Sequence, residues 1–289
     1  MKEKVLFLFC IMIAAAAVFS GCGSQALPEE EADAIGDTLV VGMSCDNPPF
    51  GWVQKEEGED TCALADGSGY AGGYDVRIAQ ILGEELGVEI EIVQYDRGDL
   101  MDALEGREID LMISGVNPLE TRADRVDFSD SYYENDYVVI VLKDGKYASA
   151  TGIDDFKGAR ITAQSGSYIY DELLPQMKGA KVMSAMTFHR DMRVALNNDV
   201  IDGYVTTRPE GMSATRLHPE YAMIIFGTEN NFETDEEYST VAVGITKGRD
   251  ELLDAVNAVL HQISKEDRQA MMEKAVYAEP EDLDDEDQE

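Results

Sequence analysis

The sequence predicts an α/β protein of two similar lobes, each a mostly parallel sheet with flanking helices. Three observations predict it. Strand-like and helix-like hydropathy patterns alternate along the chain, the order that builds parallel sheets covered on both faces. ALEGREIDLMISG (103–115) and ALNNDVIDGYVT (195–206) each run Ala-Leu, four residues, Ile-Asp and then a strand, so one helix-turn-strand unit recurs in each half. The 289 residues, 44% hydrophobic and 8% aromatic, suffice for two sizeable cores, at roughly 150 residues per domain.

In chain order, DTLVVGMS (37–44) reads as a buried strand. YDVRIAQILGEELG (74–87) sets Val76, Ile78, Ala79, Ile81, Leu82 and Leu86 near helical spacing, with Gly87 as the stop. VEIEIVQY (88–95) alternates as a strand, LMDALEG (100–106) is a short helix and IDLMISG (109–115) a strand. LETRADRVDF (119–128) continues as turn or helix, and YVVIVLK (137–143) is again a strand. The second set is ARITAQSG, SYIYDELLP, AKVMSA, RDMRVALNN and VIDGYVT, read as strand, helix, strand, helix and strand. TVAVGITK (240–247) adds a strand, and DELLDAVNAVLHQIS (250–264) a helix with apolar residues at 252, 253, 256, 259, 260 and 263.

With 23 Lys+Arg against 58 Asp+Glu, the net charge is −35. So acidic a surface repels phosphate backbones and anionic headgroups, which argues against nucleic-acid binding and electrostatic membrane docking. Much of the charge sits at the ends. EPEDLDDEDQE (279–289) carries eight carboxylates and PEEEADAIGD (28–37) five; neither has enough apolar surface to bury, so 278–289 reads as a disordered tail and 22–37 as a linker. Lys2 and Lys4 precede VLFLFCIMIAAAAVF (5–19), 15 uncharged residues. That is short of the ~20 needed to span a bilayer and suits a signal peptide over residues 1–21. Ser20 and Gly21 lead into Cys22, and this junction resembles a bacterial lipobox. The resemblance implies acylation of Cys22, palmitate being the expected chain, and a membrane-anchored mature body. The alternative is an ordinary signal peptide with an incidental Cys.

Cys45 and Cys62 remain, 17 positions apart in an oxidising compartment, either bridged or as two thiols. His189, His218 and His261 lie far apart and no Cys/His spacing matches a metal site. No metal and no cofactor is expected.

Ligands of open α/β sheets bind beyond the carboxyl ends of strands, which points at residues 114–117, 164–168 and 206–208. Seven segments around these places carry a family resemblance: DNPPFGW (46–52), GGYDVRIAQILGEELG (72–87), LEGREID (104–110), SGVNPLETRADRVDFSDSYY (114–133), FKGARITAQSGSY (156–168), IDGYVTTRPEG (201–211) and VAVGITKGRDELLDAVNAVL (241–260). In this order, over residues 38 to about 275, the chain resembles the polar amino-acid substrate-binding proteins of ABC importers, bacterial extracellular solute-binding protein family 3. The resemblance implies the type II periplasmic-binding-protein fold, with lobe 1 at 38–140 plus 243–277 and lobe 2 at 141–242. YVVIVLK and STVAVGI would cross between them as a two-strand hinge. It further implies a monomer outside the cytoplasm that captures a small polar solute, an amino acid in the first place, and hands it to permease subunits.

The same resemblance assigns site residues. Arg122 would grip the ligand α-carboxylate, for which a guanidinium offers matched parallel donors; the alternative is a surface pair with Glu120 or Asp124. Gly115 and Asn117 would add backbone contacts. Gln164 and the Gly166-Ser167-Tyr168 turn would open a helix whose free N–H groups favour the same carboxylate. Asn47, Phe50 and Trp52 come from the motif that forms the family's aromatic wall, with a core role for Phe50 equally open. Two positions depart from the pattern. Thr207 stands where relatives carry the acid that pairs with the ligand ammonium, so either Glu210 or another acid substitutes, or the ligand is not a plain α-amino acid. Arg97 stands where many have an aromatic, and either reaches an acidic ligand side chain or pairs with Asp96 or Asp99 at the rim. The rival readings are a sensory solute receptor and a cyclohexadienyl dehydratase-like enzyme, the latter disfavoured because no His falls in the cleft motifs.

Overall fold

The computed structural model describes residues 35–281. The signal segment, Cys22, most of the acidic linker and nearly all of the acidic tail lie outside the described residues.

In chain order the elements are β1 (Thr38–Met43), β2 (Trp52–Gln54), β3 (Cys62–Ala63), β4 (Tyr70–Gly72), α1 (Tyr74–Leu86), β5 (Glu89–Gln94), α2 (Leu100–Glu105), β6 (Leu111–Met112), α3 (Glu120–Ala123), β7 (Val126–Glu134) and β8 (Tyr137–Leu142). There follow β9 (Arg160–Thr162), β10 (Lys181–Val182), α4 (His189–Asn197), β11 (Gly203–Thr207), α5 (Arg208–Leu217), β12 (Tyr221–Ile224), α6 (Glu236–Ser239), β13 (Thr240–Thr246), α7 (Asp250–Leu260) and α8 (Lys265–Ala278).

Two five-stranded sheets result, ordered β5-β1-β6-β13-β7 and β10-β9-β11-β8-β12, beside a small sheet β2-β4-β3. Each large sheet joins a parallel trio to an antiparallel pair. β5-β1-β6 and β10-β9-β11 run parallel, whereas β13 opposes β6 and β7, and β8 opposes β11 and β12. Four of the five strands in each sheet therefore run the same way, as a mostly parallel sheet requires, and the reversed one is the strand that follows a crossing.

The crossings also fall elsewhere than the sequence suggests. β8 lies wholly in the second sheet and β13 wholly in the first. The chain leaves lobe 1 through Asn135 and Asp136 and returns through residues 225–239, instead of midway along YVVIVLK and STVAVGI.

The recurring unit has a structural meaning. Its Asp precedes the third strand of each parallel trio and ties down the neighbouring strand. Asp110 Oδ2 accepts from Val40 N of β1 at 3.0 Å, and Asp202 Oδ2 from Arg160 N of β9 at 2.7 Å. An arginine completes each anchor: Arg249 Nη1 lies 2.5 Å from Asp110 Oδ1, and Arg160 Nη2 lies 2.8 Å from Asp202 Oδ1.

β8 shows why its run is apolar throughout. Tyr137, Val139 and Val141 enter one core cluster with Phe156, Ile161 and Val205, while Val138 and Ile140 enter another with Met192 and Tyr204. A strand covered on both faces needs no polar alternation, and each fully buried Val or Ile contributes about 1.5–3 kcal/mol. In lobe 1, α1 and α7 cover one face of the sheet and α2 the other. SYIYDELLP forms a π turn (Ile169–Leu173) and a 3-10 turn (Leu174–Gln176) rather than an α-helix. Pro175 lacks the N–H that a continuing helix requires.

Candidate functional site

In lobe 1 the ends of β1 and β6 meet. Ser44 N donates to Ser114 Oγ at 3.0 Å, and the two hydroxyls are 2.6 Å apart. Ser44 Oγ donates to Asp46 Oδ1 at 2.6 Å, and Arg97 completes the group: Nη2 and Nε bind the Asp46 carboxylate at 2.5 and 3.3 Å, and Nη1 binds Ser114 O at 3.2 Å. Arg97 thus pairs with Asp46, not with Asp96 or Asp99. Burial pushes the Asp46 carboxyl up, but its bonds from Arg97 and Ser44 outweigh that and hold it below the usual range.

Gly115 adopts φ +58, a region that favours glycine. Its N–H donates to Tyr132 Oη at 3.1 Å, and that hydroxyl donates to Asp75 Oδ1 at 2.8 Å. Asp75 is 2% exposed, and burial raises its carboxyl to about 7 in spite of the Tyr132 bond. Asn117 Nδ2 donates to Tyr238 O and Thr240 O at 2.9 and 2.7 Å, so its side chain is committed to the return crossing. Its carbonyl accepts from Arg122 Nη1 at 3.0 Å.

Arg122, half-buried in α3, makes neither of the surface pairs considered from the sequence. Among the described residues no carboxylate pairs with it. Burial, and then the Arg97 charge, lower its pKa from the usual guanidinium value.

Of the aromatic motif, Phe50 takes the core role left open from the sequence, and Trp52 departs from the expected ligand contact. Phe50 belongs to the lobe 1 core, edge-on to Tyr74 and Tyr133 at 6.0 and 5.6 Å. Trp52 is 3% exposed and donates to Gln54 Oε1 at 2.8 Å. It borders a cavity of about 220 Å³ shared with Arg77, Met271 and Lys274, on the side of α8. Trp52 therefore does not line the strand-end cleft; β2 pairing with β4 turns the indole onto Gly72. Asn47 closes the turn before it, its carbonyl accepting from Phe50 N and Gly51 N.

In lobe 2, Gln164 Nε2 donates to Thr187 O at 3.1 Å and its carbonyl accepts from Ser167 Oγ at 2.7 Å. Gly166 takes φ +69. Ser167 Oγ also accepts from Tyr170 N at 3.2 Å, so the turn satisfies one of the donors expected to await a ligand. Tyr168 stacks on Tyr238 and its hydroxyl accepts from Asp235 N at 3.2 Å. Thr207 ends β11 and immediately precedes α5, and Thr206 Oγ1 before it is 3.3 Å from His189 Nε2. Glu210 is 8% exposed with its Oε1 3.6 Å from Arg193 Nη1. It points into lobe 2 and does not replace the missing acid.

Cys45 and Cys62 are both unbridged; Cys62 Sγ accepts from Gln80 Nε2 at 3.3 Å. Asp46, His189 and Tyr238 escaped the sequence reading. Asp46 heads the DNPPFGW motif, which was a signal; Tyr238, in a short polar helix, gave none. A larger cavity of about 290 Å³ lies behind the crossing, lined by Tyr133, Asp136, Arg208, Lys265 and Arg268, apart from the strand ends.

Two mixed sheets joined by two crossings, with a guanidinium in α3 that no acid pairs with among the described residues, define a two-lobed solute receptor. The chain belongs to the bacterial extracellular solute-binding proteins, family 3, whose model matches residues 39–277. Its body accordingly works outside the cytoplasm. The arginine-binding extracellular protein ArtP of Bacillus subtilis (strain 168) is 32% identical over 167 residues, 58% of this chain and 57% of that protein, so the match spans less than two thirds of it. The L-cystine-binding protein TcyJ of Escherichia coli (strain K12) is 26% identical over 241 residues, 82% of each. An amino acid ABC transporter substrate-binding protein from Streptococcus pneumoniae Canada MDR_19A, solved bound to L-arginine, superposes with a TM-score of 0.62 at 25% identity, covering 86% of this chain and 98% of that one.

Proposed function

We propose that the protein captures an amino acid between its lobes and delivers it to the permease of an ABC importer, held at the membrane by lipid on Cys22. The observation that carries the reading is Arg122: a half-buried guanidinium in α3, bonded to the Asn117 carbonyl, with no acid paired to it among the described residues. Such a group is stabilised by a ligand carboxylate that accepts two parallel N–H bonds. Gln164, Ser167 and Thr207 line the lobe 2 side and add contacts on closure. Closure follows from the ligand's higher affinity for the closed state, since a ligand shifts an equilibrium only by that difference. Thr207 offers the ligand ammonium a hydroxyl without a countercharge. The relatives named for arginine and cystine binding support the solute class. The reading is of binding without turnover.

Calorimetry of the mature chain against the twenty amino acids and their common derivatives tests it. One saturating site is expected, with the ligand recovered unchanged and affinity lost in Arg122→Ala. A folded protein that binds none of them overturns the reading, as does conversion of the ligand.

A further inference from the structure

We propose that the Asp46 and Arg97 pair selects ligands whose far end is neutral as a whole yet carries a hydrogen-bond donor and acceptor side by side. A primary amide, a ureido group or a second amino-acid head has this chemistry. The inference rests on the amino-acid reading above and assigns its side-chain specificity.

Three observations carry it. First, the pair lies beside the carboxylate site. Arg97 Nη1 binds Ser114 O and Arg122 Nη1 binds Asn117 O, three residues further along one segment. Three residues reach at most about 10 Å, on the order of the length of a straight-chain amino acid. Second, the pair is open, with side chains 43% and 51% exposed for Arg97 and Asp46. Third, it is neutral but not saturated. Arg97 commits Nε, one Nη1 hydrogen and one Nη2 hydrogen, leaving about two of five N–H donors. Asp46 accepts from Ser44 and twice from Arg97, leaving about one of four acceptor positions.

The consequences differ by ligand charge. A cationic end must share Asp46 with Arg97, and an anionic end must share Arg97 with Asp46. Each sets like charges within hydrogen-bond range or breaks a charge-assisted pair. A neutral amide donates to the open Asp46 position and accepts from a spare Arg97 N–H with the pair intact.

The test is calorimetry on the mature chain with glutamine, citrulline, cystine, arginine and glutamate, repeated for Arg97→Gln and Asp46→Asn. At least one of glutamine, citrulline and cystine is expected to bind about tenfold more tightly than both charged ligands. Arg97→Gln is expected to favour arginine over glutamate by about tenfold relative to wild type, and Asp46→Asn to do the reverse. A wild-type preference for arginine or glutamate overturns the proposal, as do variants that move both charged ligands equally. The wild-type ranking decides alone if a variant does not fold. If no amino acid binds the folded wild type, the amino-acid reading falls and this inference with it; if amino acids bind in the opposite order, only the specificity inference falls.

Discussion

The ring of Tyr238 lies flat on that of Tyr168, with centroids 4.1 Å apart and planes 8° from parallel. The Tyr238 carbonyl accepts from Asn117 Nδ2 of lobe 1 and from Tyr137 Oη of lobe 2, both at 2.9 Å. One residue of the return crossing thereby touches the lobe 2 turn with its ring and the Arg122 segment with its backbone. Stacked aromatic pairs contribute about 0.5–1.5 kcal/mol beyond their burial. Tyr238→Ala is expected to weaken ligand binding about fivefold, and Tyr238→Phe to stay near wild type, because the ring and the carbonyl both remain. Calorimetry reads the difference, and a Phe variant as weak as the Ala variant contradicts it.

Trp52 packs away from the strand ends. Trp52→Phe is expected to cost about 1–2 kcal/mol of stability through the space it leaves, with ligand affinity within about twofold of wild type. Urea melts and titrations of the same preparations separate the two effects. An affinity loss comparable to that of Arg122→Ala puts the indole back in the ligand site.

Burial, reinforced by the charges of Asp75 and Asp46, pushes the Cys45 thiol up to about 12. Thiolate is the reactive form, so at pH 8 only about one Cys45 in ten thousand is available. Alkylation of the unreduced, folded protein is expected to label Cys62 first and Cys45 far more slowly, the Cys45 rate rising about tenfold per pH unit. Peptide mass spectrometry checks the order. A bridged peptide linking the two residues contradicts the structure.

The Asp202 carboxyl is held below its usual range, first by the Arg160 side-chain hydrogen bonds. A depressed carboxylate stabilises the fold above its unfolded value of about 3.9, and that contribution is lost as pH falls through the folded value. Asp202→Asn is expected to cost about 1.5–3 kcal/mol at pH 7. The gap from wild type should shrink below about pH 4. Urea unfolding at pH 7, 5 and 3 tests this, and a gap independent of pH counts against the anchor.

Much of the architecture was legible because burial writes it into the sequence. β8 is covered on both faces and reads as an unbroken apolar run, and the two Ala-Leu…Ile-Asp units mark the same strand position in each sheet. β7 was missed because VDFSDSYYE is only half-buried and its apolar residues do not alternate regularly. The one reversed strand in each sheet was equally hidden, since hydropathy does not encode which way a strand enters a sheet. At the site, Arg122 was singled out by the family resemblance and not by composition or periodicity. Trp52 was misplaced because a short edge sheet decides its direction, and Tyr238 was missed because backbone acceptance and ring stacking leave no compositional trace.

The outward crossing between the sheets consists of Asn135 and Asp136 alone. Two residues carry about four soft dihedral angles, and these are further restrained: Asn135 N donates to Ser239 O at 2.6 Å, while Asp136 O accepts from Arg208 N at 2.7 Å. The two sheets are therefore joined here by a short link pinned at both of its residues. A short, pinned link leaves a closing molecule less orientational freedom to lose than a long flexible one would, so more of the ligand's contact energy is expressed as affinity.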